Sequence, residues 1–148
     1  MQKQELKTVR LMRVRPNIIG DVINVECEVV SKEVDFSSDD TTMLDFFYKN
    51  IGCDCIDIVS FGGLYNPKGF SVTVDDEGLL KSGNVVLKYT LPIDNDNHVL
   101  ELSGTILIGK CDYVEGRDED GLNEVGLSDE EIKYIKENLQ IELKGVTR

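Results

Sequence analysis

From Ile23 to Val29, apolar and polar side chains change places at every residue. Ile23, Val25, Cys27 and Val29 fall in one phase, and Asn24, Glu26 and Glu28 in the other. A period of two puts one set on each face of an extended chain and cannot form the stripe of a helix, which repeats about every 3.6 residues. The alternation therefore predicts a half-buried strand over Val22–Val34. Its phase slips at Val29-Val30, where a bulge or bend is expected. Thr8–Arg15 reads as a preceding strand that Pro16 ends. Asn17 and Gly20-Asp21 supply turn chemistry between the two, so a hairpin is the natural arrangement.

The rest of the chain extends the pattern. Ser37-Ser38-Asp39-Asp40 offers N-caps for a short helix carrying Met43, Leu44, Phe46, Phe47 and Tyr48, with Asn50 and Gly52 at its stop. Strands are expected at Cys53–Phe61, at Phe70–Val74 before a hairpin-type turn at Asp75-Asp76-Glu77-Gly78, and at Val85–Leu91 before the polar turn Asp94-Asn95-Asp96-Asn97. Ile106-Leu107-Ile108, set between Gly104 and Gly109, suits a buried central strand. Residues 112–125 read as a charged loop. Ser128 followed by Glu131 is a capping box, after which Ile132, Ile135 and Leu139 keep helical spacing. The expectation is one α+β domain spanning the 148 residues. It has a twisted, mainly antiparallel sheet of about six strands, one short internal helix and one C-terminal helix packed on it.

Charge narrows the partners. The formal net charge is -12. Residues 1–111 hold 17 acidic and 11 basic side chains, and residues 112–148 hold 11 and 5, so the last quarter carries half of the excess. A field of this sign disfavours nucleic acid as a direct partner. Lys3, Lys7, Arg10, Arg13 and Arg15 are a local exception, read as the charged side chains of an edge strand that resists pairing. No apolar run approaches the roughly 18 residues of a membrane span, and Met1–Glu5 leads into no signal-like segment. A cytoplasmic location is expected. There Cys27, Cys53, Cys55 and Cys111 are most simply buried small apolar groups.

Ile51-Gly52 before Cys55-Ile56-Asp57-Ile58, the turn from Val74 to Gly78, the segment Leu102–Gly109 and Gly126-Leu127-Ser128-Asp129-Glu130-Glu131-Ile132 together carry a resemblance. The stretch from about Met43 to Ile135, some 60% of the chain, resembles a small domain family of unknown function carried mainly by phages, plasmids and conjugative elements. The strand pair at about 8–34 precedes this core. The resemblance implies a mobile-element origin and no particular reaction.

Tests for chemistry return little. Cys53-Asp54-Cys55 places two thiols on one face of a strand with Asp57, but a zinc site needs four ligands, and His98 is the one histidine. Aligning Gly121 with the invariant glycine of a calcium loop puts Gly116 and Leu127 where acids are required. No nucleophile elbow or phosphate-binding glycine loop occurs. No cofactor or metal is expected. The leading expectation is a non-enzymatic accessory protein of a phage or mobile element that binds a host or phage protein. Its candidate partner surface is Asp112, Tyr113, Glu115, Asp118, Glu119, Asp120 and Glu124, with Tyr65 beside Pro67. One alternative is an acidic mimic of nucleic acid that inhibits a host defence nuclease, its surface continuing to Asp129 and Glu130. Another is a small hydrolase or nucleotide-modifying enzyme. A homodimer sharing a sheet through the N-terminal strands is a further expectation.

Overall fold

A computed structural model of the chain describes residues 6–35, 42–64, 66–78, 80–81, 83–113 and 122–147. The fold is α+β with mainly antiparallel sheet, as expected, but the described residues hold ten strands in three sheets, every pairing antiparallel. β1 (Leu6–Ile19) and β2 (Val22–Asp35) form a long hairpin. β3 (Ile56–Phe61), β4 (Phe70–Asp75) and β7 (Ile106–Gly109) complete a five-stranded sheet in the order β2-β1-β7-β4-β3. β5 (Val85–Ile93), β6 (Asp96–Ser103) and β10 (Gln140–Val146) make a three-stranded sheet in the order β10-β5-β6. β8 (Cys111–Tyr113) and β9 (Leu122–Glu124) form a two-stranded ribbon inside the stretch read as a loop.

Two cores explain the alternation. Met12, Val14, Val72 and Ile108 of the larger sheet meet Leu87, Tyr89 and Leu91 of the smaller one, closed by Ile132 and Ile135. On the other face of the larger sheet, Val9, Leu11, Val34 and Leu107 pack beneath Phe47 of α1 (Thr42–Ile51). β7 is therefore covered on both sides, all four residues are buried, and it sits at the centre of its sheet, as the Ile-Leu-Ile run predicted. The same covering accounts for Val29-Val30. The β1–β2 register runs unbroken, with no bulge; Val30 simply turns to the second apolar face under α1.

Pro16 does not end β1, which continues to Ile19. The turn Gly20-Asp21 closes on the pair Ile19–Val22, with Gly20 at φ 61° in its first central position, as a primed hairpin turn requires. Counting back, Pro16 lies opposite Val25 in a rung whose N–H would point away from β2. β7 pairs with β1 only over Met12–Val14, so no acceptor waits for that missing N–H. Pro92 repeats the arrangement: it lies inside β5, two rungs beyond Thr90, where β10 stops. Asp94 and Asn95, at φ 53° and 69°, form the two-residue turn between β5 and β6.

Other expectations change. β1 is interior and β2 is the edge, so the N-terminal cations do not guard an edge strand. Arg13 and Arg15 instead pair across the hairpin with Glu28 and Glu26, the latter at 2.7 Å. The turn after β4 joins two different sheets and is not a hairpin. The predicted caps at 37–40 lie outside the described residues, whereas the Gly52 stop is present: Gly52 has φ 82° and its N–H donates to the Tyr48 carbonyl at 2.8 Å. α2 (Asp129–Asn138) has the full capping box, with Ser128 and Glu131 bonded reciprocally. It is followed by β10 and so is not the last element. Cys27 and Cys55 are exposed and Cys53 and Cys111 half-buried, so none of the thiols is fully buried.

Candidate functional site

Of the predicted partner surface, only the side chains of Asp112 and Glu124 fall within the described residues. Tyr65, Glu115, Asp118, Glu119 and Asp120 lie outside the described residues, as does the Tyr113 side chain. Asp112 is exposed on β8, opposite Asn123. Glu124 faces the other way. β9 ends just where the chain turns under β7, and the pairing of Cys111 with Glu124 delivers the carboxylate to the inner side of the ribbon. It accepts hydrogen bonds from the Ser71 hydroxyl at 2.8 Å and the Lys110 backbone N–H at 2.6 Å, with the Cys111 thiol at 3.5 Å. A Cβ built on Gly109 would collide with this carboxylate and with Leu11, so glycine makes the space it occupies.

This node joins β4, the β7–β8 junction and β9. Burial pushes the Glu124 carboxyl up to about 7, opposed by the donors from Ser71, Lys110, Cys111 and Gly126. Burial, reinforced by the Glu124 charge, pushes the Cys111 thiol up to about 12. A thiol so disposed stays protonated and donates, which makes it a structural group and not a nucleophile. Residue type alone could not separate Glu124 from the 27 other acids.

Lys110 opens onto a cleft of about 430 Å³, floored by Phe70, Ile93 and Tyr134. The Phe70 and Tyr134 rings stack at 6.5 Å and 9°. The Lys110 ammonium stands 5.2 Å from the Phe70 centroid and donates to the carbonyls of Pro67 and Gly69. Burial lowers its pKa, against the charge of Glu131, whose carboxylate lies 3.9 Å away. Two carbonyls and a ring hold the ammonium in place, so this lysine pins the 62–69 loop to the sheet. A second crevice, about 300 Å³, lies between the hairpin, the end of α1 and the β6–β7 turn, with the Lys81–Asp75 ion pair at 2.6 Å on its wall.

Neither His98 nor a cysteine lines either space. His98 lies in β6 opposite Leu91, and its imidazole makes no hydrogen bond or ion pair with another described residue. No group of three or more His, Cys, Asp or Glu capable of holding a metal occurs among the described residues. Of the tyrosines whose side chains are described, Tyr89 is the most enclosed: it is fully buried, burial raises its pKa, and its hydroxyl has no partner among the described residues.

The feature that sequence reasoning passed over is the far end of the hairpin. Past Val14, β1 has only β2 beside it, so five residues of two-stranded arm extend about 17 Å beyond the last β7 rung. Its tip bears Ile18, Ile19 and Val22, exposed at 52%, 62% and 59%. The signal was present in the sequence as branched aliphatics on both sides of Gly20-Asp21, where a solvated turn favours polar residues.

Among the described residues no helix is long and apolar enough to cross a membrane. No family model, curated protein or solved structure matches this chain.

Proposed function

We propose that the chain is a non-enzymatic accessory protein that works by binding another protein, with the hairpin tip as the contact. The carrying observation is the cluster Ile18, Ile19 and Val22, more than half exposed on a projecting arm. Large aliphatics gathered at such a point gain nothing for the fold and are suited to insertion into a partner's apolar groove. A host or phage protein is the partner class that the resemblance to phage and plasmid domains suggests. An acidic mimic draws less support. The Glu124 carboxylate is turned inward, and Asp129 pairs with Arg10 at 2.5 Å.

Affinity capture from a native host lysate, run side by side with the intact chain and an Ile19→Ser/Val22→Ser double variant, tests the reading. A partner retained by the first and lost by the second is the expected result. A partner retained equally by both, or none at good yield, would sink it.

A further inference from the structure

β2 is the outer strand of its sheet, and no described strand lies against its free side. The hairpin dictates which groups that side presents. With Ile19–Val22 as the hydrogen-bonded pair closing a two-residue turn, such pairs recur at every second rung. The even-numbered residues of β2 therefore bond to β1. Ile23, Val25, Cys27, Val29 and Ser31 turn their N–H and C=O groups outward. Val25 and Val29 also carry exposed side chains.

An open edge fourteen residues long invites another strand, and the occupant with the right chemistry is β2 of a second copy. With a two-fold axis at Val29, antiparallel pairing sets Val29 against itself and Cys27 against Ser31. On the opposite face it sets Glu26 against Lys32, twice by symmetry. Glu26 is 53% exposed while it pairs with Arg15, which leaves its carboxylate open to a second cation, and Lys32 makes no ion pair with another described residue. No like charges are opposed in this register. An axis at Cys27 would instead set Glu26 against Glu28 twice. We infer that the protein forms a symmetric dimer through antiparallel β2–β2 pairing about Val29. The partner is a second copy of this chain, independent of whatever the hairpin tip binds. The two arms then point in opposite directions.

Sedimentation equilibrium on the full chain tests the pairing. Glu26→Lys and Lys32→Glu are each expected to weaken dimerisation about tenfold, and the double reversal to restore it. Restoration is a result that misfolding of either single variant would not give. In a Cys27→Ser background, Val29→Cys should cross-link under mild oxidation, because facing residues of a hydrogen-bonded pair lie about 5.5 Å apart at Cα, within disulfide range. A chain that stays monomeric to roughly 100 µM overturns the inference. So does a dimer indifferent to the single reversals, or one that the double reversal does not restore.

Discussion

The hairpin arm and the Glu124 node distribute polarity in opposite ways. At the arm, Ile18, Ile19 and Val22 are more than half exposed on two strands that pair only with each other. At the node, a carboxylate and a thiol sit among three strands, and each is hydrogen-bonded. A buried polar group is tolerable only when its donors and acceptors are matched, so the node must be assembled accurately or the ribbon comes away. The arm is under no such demand. Past Val14 its strands bond only to each other, and Ile18, Ile19 and Val22 belong to neither core. The contrast teaches where to look for each property: exposed aliphatics are where to test for a contact, and enclosed polar groups are where to test what holds the fold.

The sharpest way to break the comparison is at Gly109. Replacing it with alanine drives a methyl group into the Glu124 carboxylate and Leu11. Overpacking plus displaced hydrogen bonds should cost about 4 kcal/mol, read as the fall in chemical-denaturation stability. Next comes the proton balance of Glu124. Its folded pKa, about 7, lies above the ordinary 4.5, so the folded state binds the proton more tightly. The stabilisation this gives is complete below the unfolded value and is lost as pH rises through about 7. Stability should therefore decline between about pH 4.5 and 7 by roughly 3 kcal/mol from this group, then level off. Glu124→Gln should flatten that part of the profile relative to the native chain. A native profile matching that of the variant would count against the node as drawn.

Ser128→Ala, which removes the α2 cap, should cost about 1 kcal/mol. The smallest effect belongs to the arm: Ile19→Ser with Val22→Ser should change stability by less than about 0.5 kcal/mol. A larger loss would show that the tip serves the fold and would erase the contrast.

Much of the fold was legible because its signals are local. The β2 alternation, the Ile106-Leu107-Ile108 run, the Ser128 capping box and the Asp94-Asn95 turn each act within a few residues. What was missed depends on neighbours distant in the chain. Whether Pro16 and Pro92 interrupt a strand depends on how far β7 and β10 reach, which nothing near the prolines records. β10 was overlooked because its segment, Gln140–Val146, is mostly exposed and lacks a strong apolar rhythm. The node escaped notice because Ser71, Lys110 and Glu124 meet only after β4, β7 and β9 are in place. The arm could have been found from Ile18, Ile19 and Val22 around the turn, had their position at a loop tip been weighed against their hydrophobicity.

The pairing of β1 with β7 joins Met12 to Ile108, and the Leu127 N–H donates to the Arg10 carbonyl at 2.8 Å. During synthesis the hairpin therefore leaves the ribosome with its inner faces bare. Val9, Leu11, Met12 and Val14 wait for a strand made more than ninety residues later. At about 5–20 residues per second that interval is on the order of 5 to 20 seconds. Nascent chains should be most prone to clumping, and most dependent on chaperones, in that interval. Ribosome-bound fragments truncated just before Ile106 should bind chaperone far more strongly than those carrying the chain through Leu127.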